Sequence, residues 1–451
     1  MTIWGEYGLR QNPYDIQPLS EGGDISIVDA FEGREHERAY IDSIFFSENR
    51  ACVTIGGQVG IGKTSIANYE KFIWKYRKQE KPLFSFRREI EANKELLRKN
   101  NFILEIIGSI MREIELLQPG LIDQNDLLRK LDQMVDITQT FGVSTNVSAG
   151  IPGIVNVGAD FSDRQNIAPV QLTTTSLEKH FLQLLSFIMS NKIGGINFNG
   201  LIVHVNNFDV VMSEDKKQVV KFFAEIRDFL QTKHVYYIFL GPNNFYKDII
   251  NVENRVRSIF DQRPLILSPL SKKEFLEALE KRMKLLKSET AQKVIKPVDD
   301  AVVYELYDMF EGDVRMILSS LKAIVHEFSG KLPKTLTLDE ALYLLGKERL
   351  SHLSDITLEG KRVLFFIAQS DKYLTQSTIA HALNKAQTNI SNYYFKPLIE
   401  KGVIEVKESS GREKYWGLTR KYLPLKKLTQ AQENLNRKRP TKQQLSLFER
   451  H

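Results

Sequence analysis

The chain of 451 residues has a single cysteine, Cys52, and no apolar run that approaches the length of a membrane span. One thiol excludes an internal disulfide framework, and without about 20 consecutive apolar residues there is no candidate transmembrane helix. The first residues, Met1-Thr2-Ile3-Trp4-Gly5-Glu6, lack the basic-then-apolar layout of a secretion signal. No internal repeat is present. The cytoplasm is the expected compartment, with no membrane partner. Hydrophobic content of 42% and charged content of 26% are those of a globular chain, and its length predicts two to four domains.

Charge is present but unevenly placed. Between Ser351 and His451 there are 18 Lys and Arg against 9 Asp and Glu, a net of +9 in a chain whose total is +6, so the first 350 residues carry −3. A basic C-terminal end on an acidic front predicts an anionic polymer as partner, contacted through that end.

The strongest local signal is Gly57-Gln58-Val59-Gly60-Ile61-Gly62-Lys63-Thr64, which fits the phosphate-loop pattern G-x-x-x-x-G-K-[ST]. Ala51–Ile55 before it reads as a buried strand, and Ser65–Ile73 after it has helical apolar spacing. Glycines let backbone N–H groups turn inward around phosphate oxygens, and the helix N-terminus adds its positive dipole end. Lys63 then reaches the β- and γ-phosphates and the Thr64 hydroxyl is placed to ligate Mg²⁺, so the expected cofactors are ATP and Mg²⁺.

Along the rest of the chain, residues 1–30 read as an extended lead-in and 31–270 as an α/β domain with a parallel sheet. In that domain a helix is expected from Phe31 to about Phe46, with strands at Pro82–Phe86, Gly200–Asp209 and Val235–Leu240. Long helices are expected at 93–117, Leu177–Ile193 and Lys216–Thr232. A glycine-rich, hairpin-like insertion interrupts it at about 138–170, its role open between a DNA, partner or subunit contact and a loose loop. Residues 271–350 lose strand character and predict an all-helical lid. Residues 351–425 predict three helices and a hairpin, a winged helix-turn-helix, and 426–451 a basic flexible tail.

In this order the motifs resemble the initiator-type AAA+ ATPases, the origin-recognition-complex and Cdc-six-like family of phosphate-loop NTPases. Phe31-Glu32-Gly33-Arg34-Glu35, the phosphate loop, the strand ending at Asn206-Asn207, Asn243-Asn244, Glu253–Ser258 and Glu311-Gly312-Asp313-Val314-Arg315 carry the resemblance. It implies that residues 57–65, ending in Ser65, and Arg315 on the lid contact nucleotide. It also implies that Asn243 or Asn244 positions a water, and that Arg255 or Arg257 acts in a neighbouring subunit as an arginine finger, hence self-association. One departure stands out. The family normally has adjacent carboxylates where this chain has Asn206 and Asn207, and the nearest carboxylate is Asp209. Either Asp209 holds the metal, with Thr64, from a shifted position, or hydrolysis is slow and the domain is chiefly a switch; the second is the expectation adopted.

The third helix of the winged region offers Gln387, Thr388, Asn389, Ser391, Asn392 and Lys396 to bases and phosphates of duplex DNA, and Arg412 and Lys414 lie on the wing. Near the end, Gln444-Leu445-Ser446-Leu447-Phe448 is similar to the pentapeptide with which bacterial replication proteins dock on the β sliding clamp. There Leu447 and Phe448 would fill an apolar pocket while Gln444 anchors through hydrogen bonds, with Leu445 also at the contact. The combined expectation is a nucleoid-associated AAA+ switch that binds ATP and DNA in replication, recombination or defence, with at most slow ATPase activity. A signalling ATPase whose nucleotide state gates oligomerisation, and a static ATP-bound adaptor, are the alternatives.

Overall fold

The structure, a computed structural model, describes residues 2–141, 173–261, 263–330 and 333–428. Most of the insertion expected at about 138–170, and the tail with Gln444, Leu445, Leu447 and Phe448, lie outside the described residues. No helix among the described residues is long and apolar enough to cross a membrane. The chain divides into two compact units, Pro18–Ser268 and the pair Met1–Gln17 with Pro269–His451.

Among the described residues, the first unit is built on six parallel strands: β1 (Ala51–Gly56), β2 (Phe84–Ser85), β3 (Ile90–Glu91), β4 (Leu201–Asn206), β5 (Val235–Gly241) and β6 (Leu265–Ile266). Their order is β2-β4-β5-β1-β6, with β3 also paired to β4. The inner strands are buried on both faces, so their sequences read as continuous apolar runs. In β5 the split is clean: Tyr236, Ile238 and Leu240 pack with Ile41, Phe45, Ile66 and Trp74 from the helices Glu35–Ser47 and Lys63–Tyr76. Val235, Tyr237 and Phe239 pack on the opposite side with Phe102, Ile106, Phe181 and Phe223, from helices Lys99–Leu117, Thr174–Ser190 and Phe208–Ile226.

Two boundaries differ from the sequence reading for physical reasons. Pro82–Phe86 pairs only through Phe84 and Ser85, while Ile90–Glu91 supplies a strand that its short apolar content hides. The strand expected to run to Asp209 stops at Asn206, because Asn207 takes a left-handed conformation (φ 66°, ψ 22°) and opens the helix Phe208–Ile226. Asn tolerates that region better than most residues, through local hydrogen bonding of its short side chain.

In the second unit, residues 2–17 are not extended. Trp4, Tyr7, Leu9 and Tyr14 are buried, Leu9 bridges to Lys287, and the Trp4 ring meets the Tyr14 and His326 rings edge-on at 5.8 and 6.0 Å. The Arg10 N–H donates to the Leu286 carbonyl at 2.9 Å, just past the helix Lys272–Leu285, and His326 belongs to the helix Val314–Glu327; helices Asp300–Met309 and Leu338–Ser351 complete this part of the unit. Helices Leu358–Gln369, Gln376–Ala382 and a segment from Gln387 to Glu400 follow. They share a core with a three-stranded antiparallel sheet, β7 (Leu374–Thr375), β8 (Ile404–Ser410) and β9 (Glu413–Leu418), in the order β7-β9-β8. The two helical groups meet at Gly346: a Cβ there would lie 2.9 Å from the Leu428 Cβ and 3.0 Å from the Pro424 carbonyl oxygen. Gly346→Val should therefore destabilise the unit by about 1–3 kcal/mol through overpacking. A lowered thermal unfolding midpoint would show it, and an unchanged midpoint would mean that this contact is not close.

Candidate functional site

The phosphate loop leaves β1 between β5 and β6. Gly60 and Gly62 hold φ of +82° and +98°, which side-chain-bearing residues resist, and a Cβ built on Gly62 would point into open space. Gly57 is enclosed instead, where a Cβ would come within 2.9 Å of the Ile61 side chain. Among the described residues, no N–H of Gln58–Gly62 donates to a backbone carbonyl. Lys63 begins the helix Lys63–Tyr76, and its ammonium donates to the carbonyls of Gly57 and Gln58 at 2.8 and 2.9 Å. Loop N–H groups without a backbone acceptor, a helix N-terminus and an ammonium are the parts from which a cradle for an anionic phosphate can be built.

Arg34 locks that cradle from behind. It is 8% exposed and left-handed (φ 69°), and its guanidinium donates to the Ile61 carbonyl at 3.2 Å while pairing with Glu37 at 3.1 Å. The sequence marked Gly33-Arg34-Glu35 only as a landmark. Its contact with a loop 27 residues away has no local signature.

The second edge of the site is the end of β4. Asn206 donates through Nδ2 to the Thr64 hydroxyl at 3.0 Å, and its Oδ1 accepts from the Asn207 N–H at 2.8 Å. Asn206, rather than Asn207 or Asp209, is the residue that the fold brings to Thr64. Asp209 sits in the first turn of the next helix, one position beyond Phe208, as a consequence of the early strand end. At the end of β5, Asn244 donates to Asp248 at 2.6 Å, whereas the backbone of Asn243 lies against Gly56, within 3.5 Å of a Cβ built there. Asn243 is thus the member of the pair beside the loop. Arg257 reaches Asn251 at 3.4 Å; Arg255, on the same turn, is exposed and has no ion-pair partner among the described residues.

The helix behind the loop is fixed by buried charge. Lys75 pairs with Glu113 at 2.6 Å and with Glu21 at 3.3 Å, and Lys71 donates to the carbonyls of Phe86 and Arg87 at 3.0 and 3.2 Å. Pairs of this kind set position more than they add stability, because desolvation offsets much of the attraction. On the other side of the helix Glu70 is 1% exposed and 3.4 Å from the Arg38 guanidinium, without hydrogen-bond alignment. Burial, with the Asp42 charge second, raises its carboxyl to about 8.

In the second unit Arg315 is exposed in the first turn of the helix Val314–Glu327, which is capped by the Asp313 side chain accepting from the Met316 N–H at 3.0 Å. Glu311, four residues earlier, is ion-paired with Arg420, beyond the end of β9. Gln387, Thr388, Asn389, Asn392 and Lys396 are exposed, and Ser391 is half-buried, on the segment from Gln387 to Glu400. Its middle, Ile390–Phe395, is a π-helical turn that buries Ile390 and Phe395 while leaving Tyr393 69% exposed. Arg412 and Lys414 are exposed at the β8–β9 hairpin.

The fold of the first unit is that of a phosphate-loop protein: a parallel sheet ordered β2-β4-β5-β1-β6 with the loop after β1. No protein-family model and no curated protein matches the chain. Among solved structures it is similar to the ORC1 protein of Aeropyrum pernix in complex with DNA, at 13% identity over 95% of this chain and 98% of that one, with a TM-score of 0.46. The Aeropyrum pernix ORC2 protein gives 13% identity over 95% and 100%, with a TM-score of 0.47. The Thermotoga maritima RuvB Holliday junction branch migration motor gives 12% over 90% and 95%, with a TM-score of 0.39.

Glu70 supplies a prediction from pH. Its carboxyl titrates near 8 in the folded chain, against an ordinary 4.5, so between these values the folded state holds a proton that the unfolded state has released. The stability this confers is complete below the ordinary value and is lost as pH rises through about 8. Glu70→Gln should remove that dependence, and the thermal midpoint of the variant relative to wild type should rise steadily across the window. A constant difference would show that Glu70 titrates normally.

Proposed function

We propose that this chain is an ATP-binding, DNA-binding switch that acts in DNA replication or recombination, with hydrolysis slow or absent. The reading rests chiefly on the loop Gly57–Thr64 having the parts of a phosphate cradle while the end of β4 presents Asn206, followed by Asn207, in place of carboxylates. An amide cannot accept a proton, so the site has the parts that hold a triphosphate without the base that would activate water. Loop N–H groups, Lys63, Thr64 and Ser65 would hold the phosphates, Asn243 would face the terminal phosphate, and Arg315 would report its presence to the helical unit. Arg255, free on its turn, suits a contact in trans with a second copy.

The output would lie in the C-terminal helix–sheet module, which we read as a winged helix-turn-helix. Gln387, Thr388, Asn389, Ser391 and Asn392 are donors and acceptors for base edges, and Lys396, Arg412 and Lys414 suit phosphates. Gly346, on the helix Leu338–Ser351, touches Leu428 and Pro424, and Arg420 pairs with Glu311, three residues before the helix that carries Arg315. The tail pentapeptide Gln444–Phe448 would add a tether to a sliding clamp.

Fluorescence anisotropy with labelled duplex DNA tests the proposal. Lys63→Ala should weaken ATP binding by at least about tenfold, since a hydrogen bond to a charged group contributes about 1.5–3 kcal/mol. ATP should change DNA affinity in wild type and not in the variant. Lys396→Ala should lower affinity and reduce the salt slope by about one. No binding of either form at low salt would refute the DNA assignment; nucleotide-indifferent binding would refute the switch.

A further inference from the structure

The orientation of the Asn206 amide bears on the metal that such a site usually carries. Asn206 Oδ1 accepts from a backbone N–H, which can only donate, and this fixes the amide so that Nδ2 faces Thr64. The Thr64 hydroxyl therefore spends one lone pair on an N–H donor. A carboxylate in that place would accept the hydroxyl proton and leave the oxygen lone pairs for a cation. The amide does the reverse, and places an N–H donor on the hydroxyl where a metal ligand would need an acceptor.

The strand face behind it adds no negative charge. Alternation along β4 puts His204 on the same face as Asn206, two residues back. His204 is fully buried, neither ring nitrogen has a hydrogen-bond partner, and burial together with the Lys71 ammonium keeps it neutral. The donor set thus does not fit a tightly held Mg²⁺.

We infer that this chain holds its nucleotide through the phosphate cradle alone, with an affinity independent of Mg²⁺, and that Asn206 is the residue responsible. The inference rests on the nucleotide-site reading above. It distinguishes the chain from a weak ATPase: the nucleotide is a resident ligand retained when divalent cations are removed.

The test is titration of full-length protein with a fluorescent ATP analogue, mant-ATP, in Mg²⁺ and in excess EDTA. Wild type should bind within about twofold under both conditions. Asn206→Asp, which restores an acceptor beside Thr64, should bind about 10–100-fold more tightly with Mg²⁺ than with EDTA, the range usual for a group that orients a metal ligand. A tenfold or greater loss for wild type on chelation would overturn the inference and leave the nucleotide site standing. An Asn206→Asp protein still indifferent to Mg²⁺ would overturn the role of Asn206. No wild-type binding in either buffer, or undiminished binding by Lys63→Ala, would instead overturn the nucleotide site itself. Because the first comparison uses the wild-type chain, poor folding of a variant does not shelter the inference.

Discussion

The hydrogen bond from Asn206 to Thr64 joins the end of β4 to the first turn of the helix that follows the phosphate loop. Everything distinctive about the site follows from its polarity. The parallel sheet brings the ends of β1, β4 and β5 to one edge, and with them the loop, Asn206 and Asn243. That edge is where ligands of open α/β sheets bind. What the edge can do then depends on charge. On the reading proposed above, Lys63 and the helix N-terminus would favour phosphate, and the two amides stand where a carboxylate would serve as base or metal ligand.

The surrounding packing suits a platform that keeps its shape. The phosphate-loop helix is held on one side by Ile66, Ala67 and Trp74 against the sheet, and at its far end by Lys75 between Glu21 and Glu113. Arg34 braces the loop through the Ile61 carbonyl. None of these residues would touch a nucleotide, yet together they fix the positions of those that would. Preorganised donors of this kind need little rearrangement when an anion arrives.

Much of the fold was legible because its signals are local. The loop pattern between an apolar strand and an amphipathic helix identified β1 and its helix. Continuous apolar runs identified β4 and β5, and the change to helical spacing after 270 matches the helices from Lys272 onward. The failures came where long-range contacts decide. Residues 2–17 are polar enough to look extended, but four spaced aromatic and aliphatic side chains bury them in a unit whose other residues begin at 269. Asp209 was the nearest carboxylate in sequence, and the left-handed turn at Asn207 moved it off the strand end. Arg34 was visible as a motif, but only the fold shows what its guanidinium holds.

The central claim is that nucleotide on the cradle is communicated to the helical unit. Hydrogen–deuterium exchange of the full chain with and without ATP tests it most directly. The account predicts new protection at Gly57–Thr64 together with changed exchange in the helix Val314–Glu327 and in Gln387–Glu400. Protection confined to the loop, with the other two segments unchanged, would contradict it.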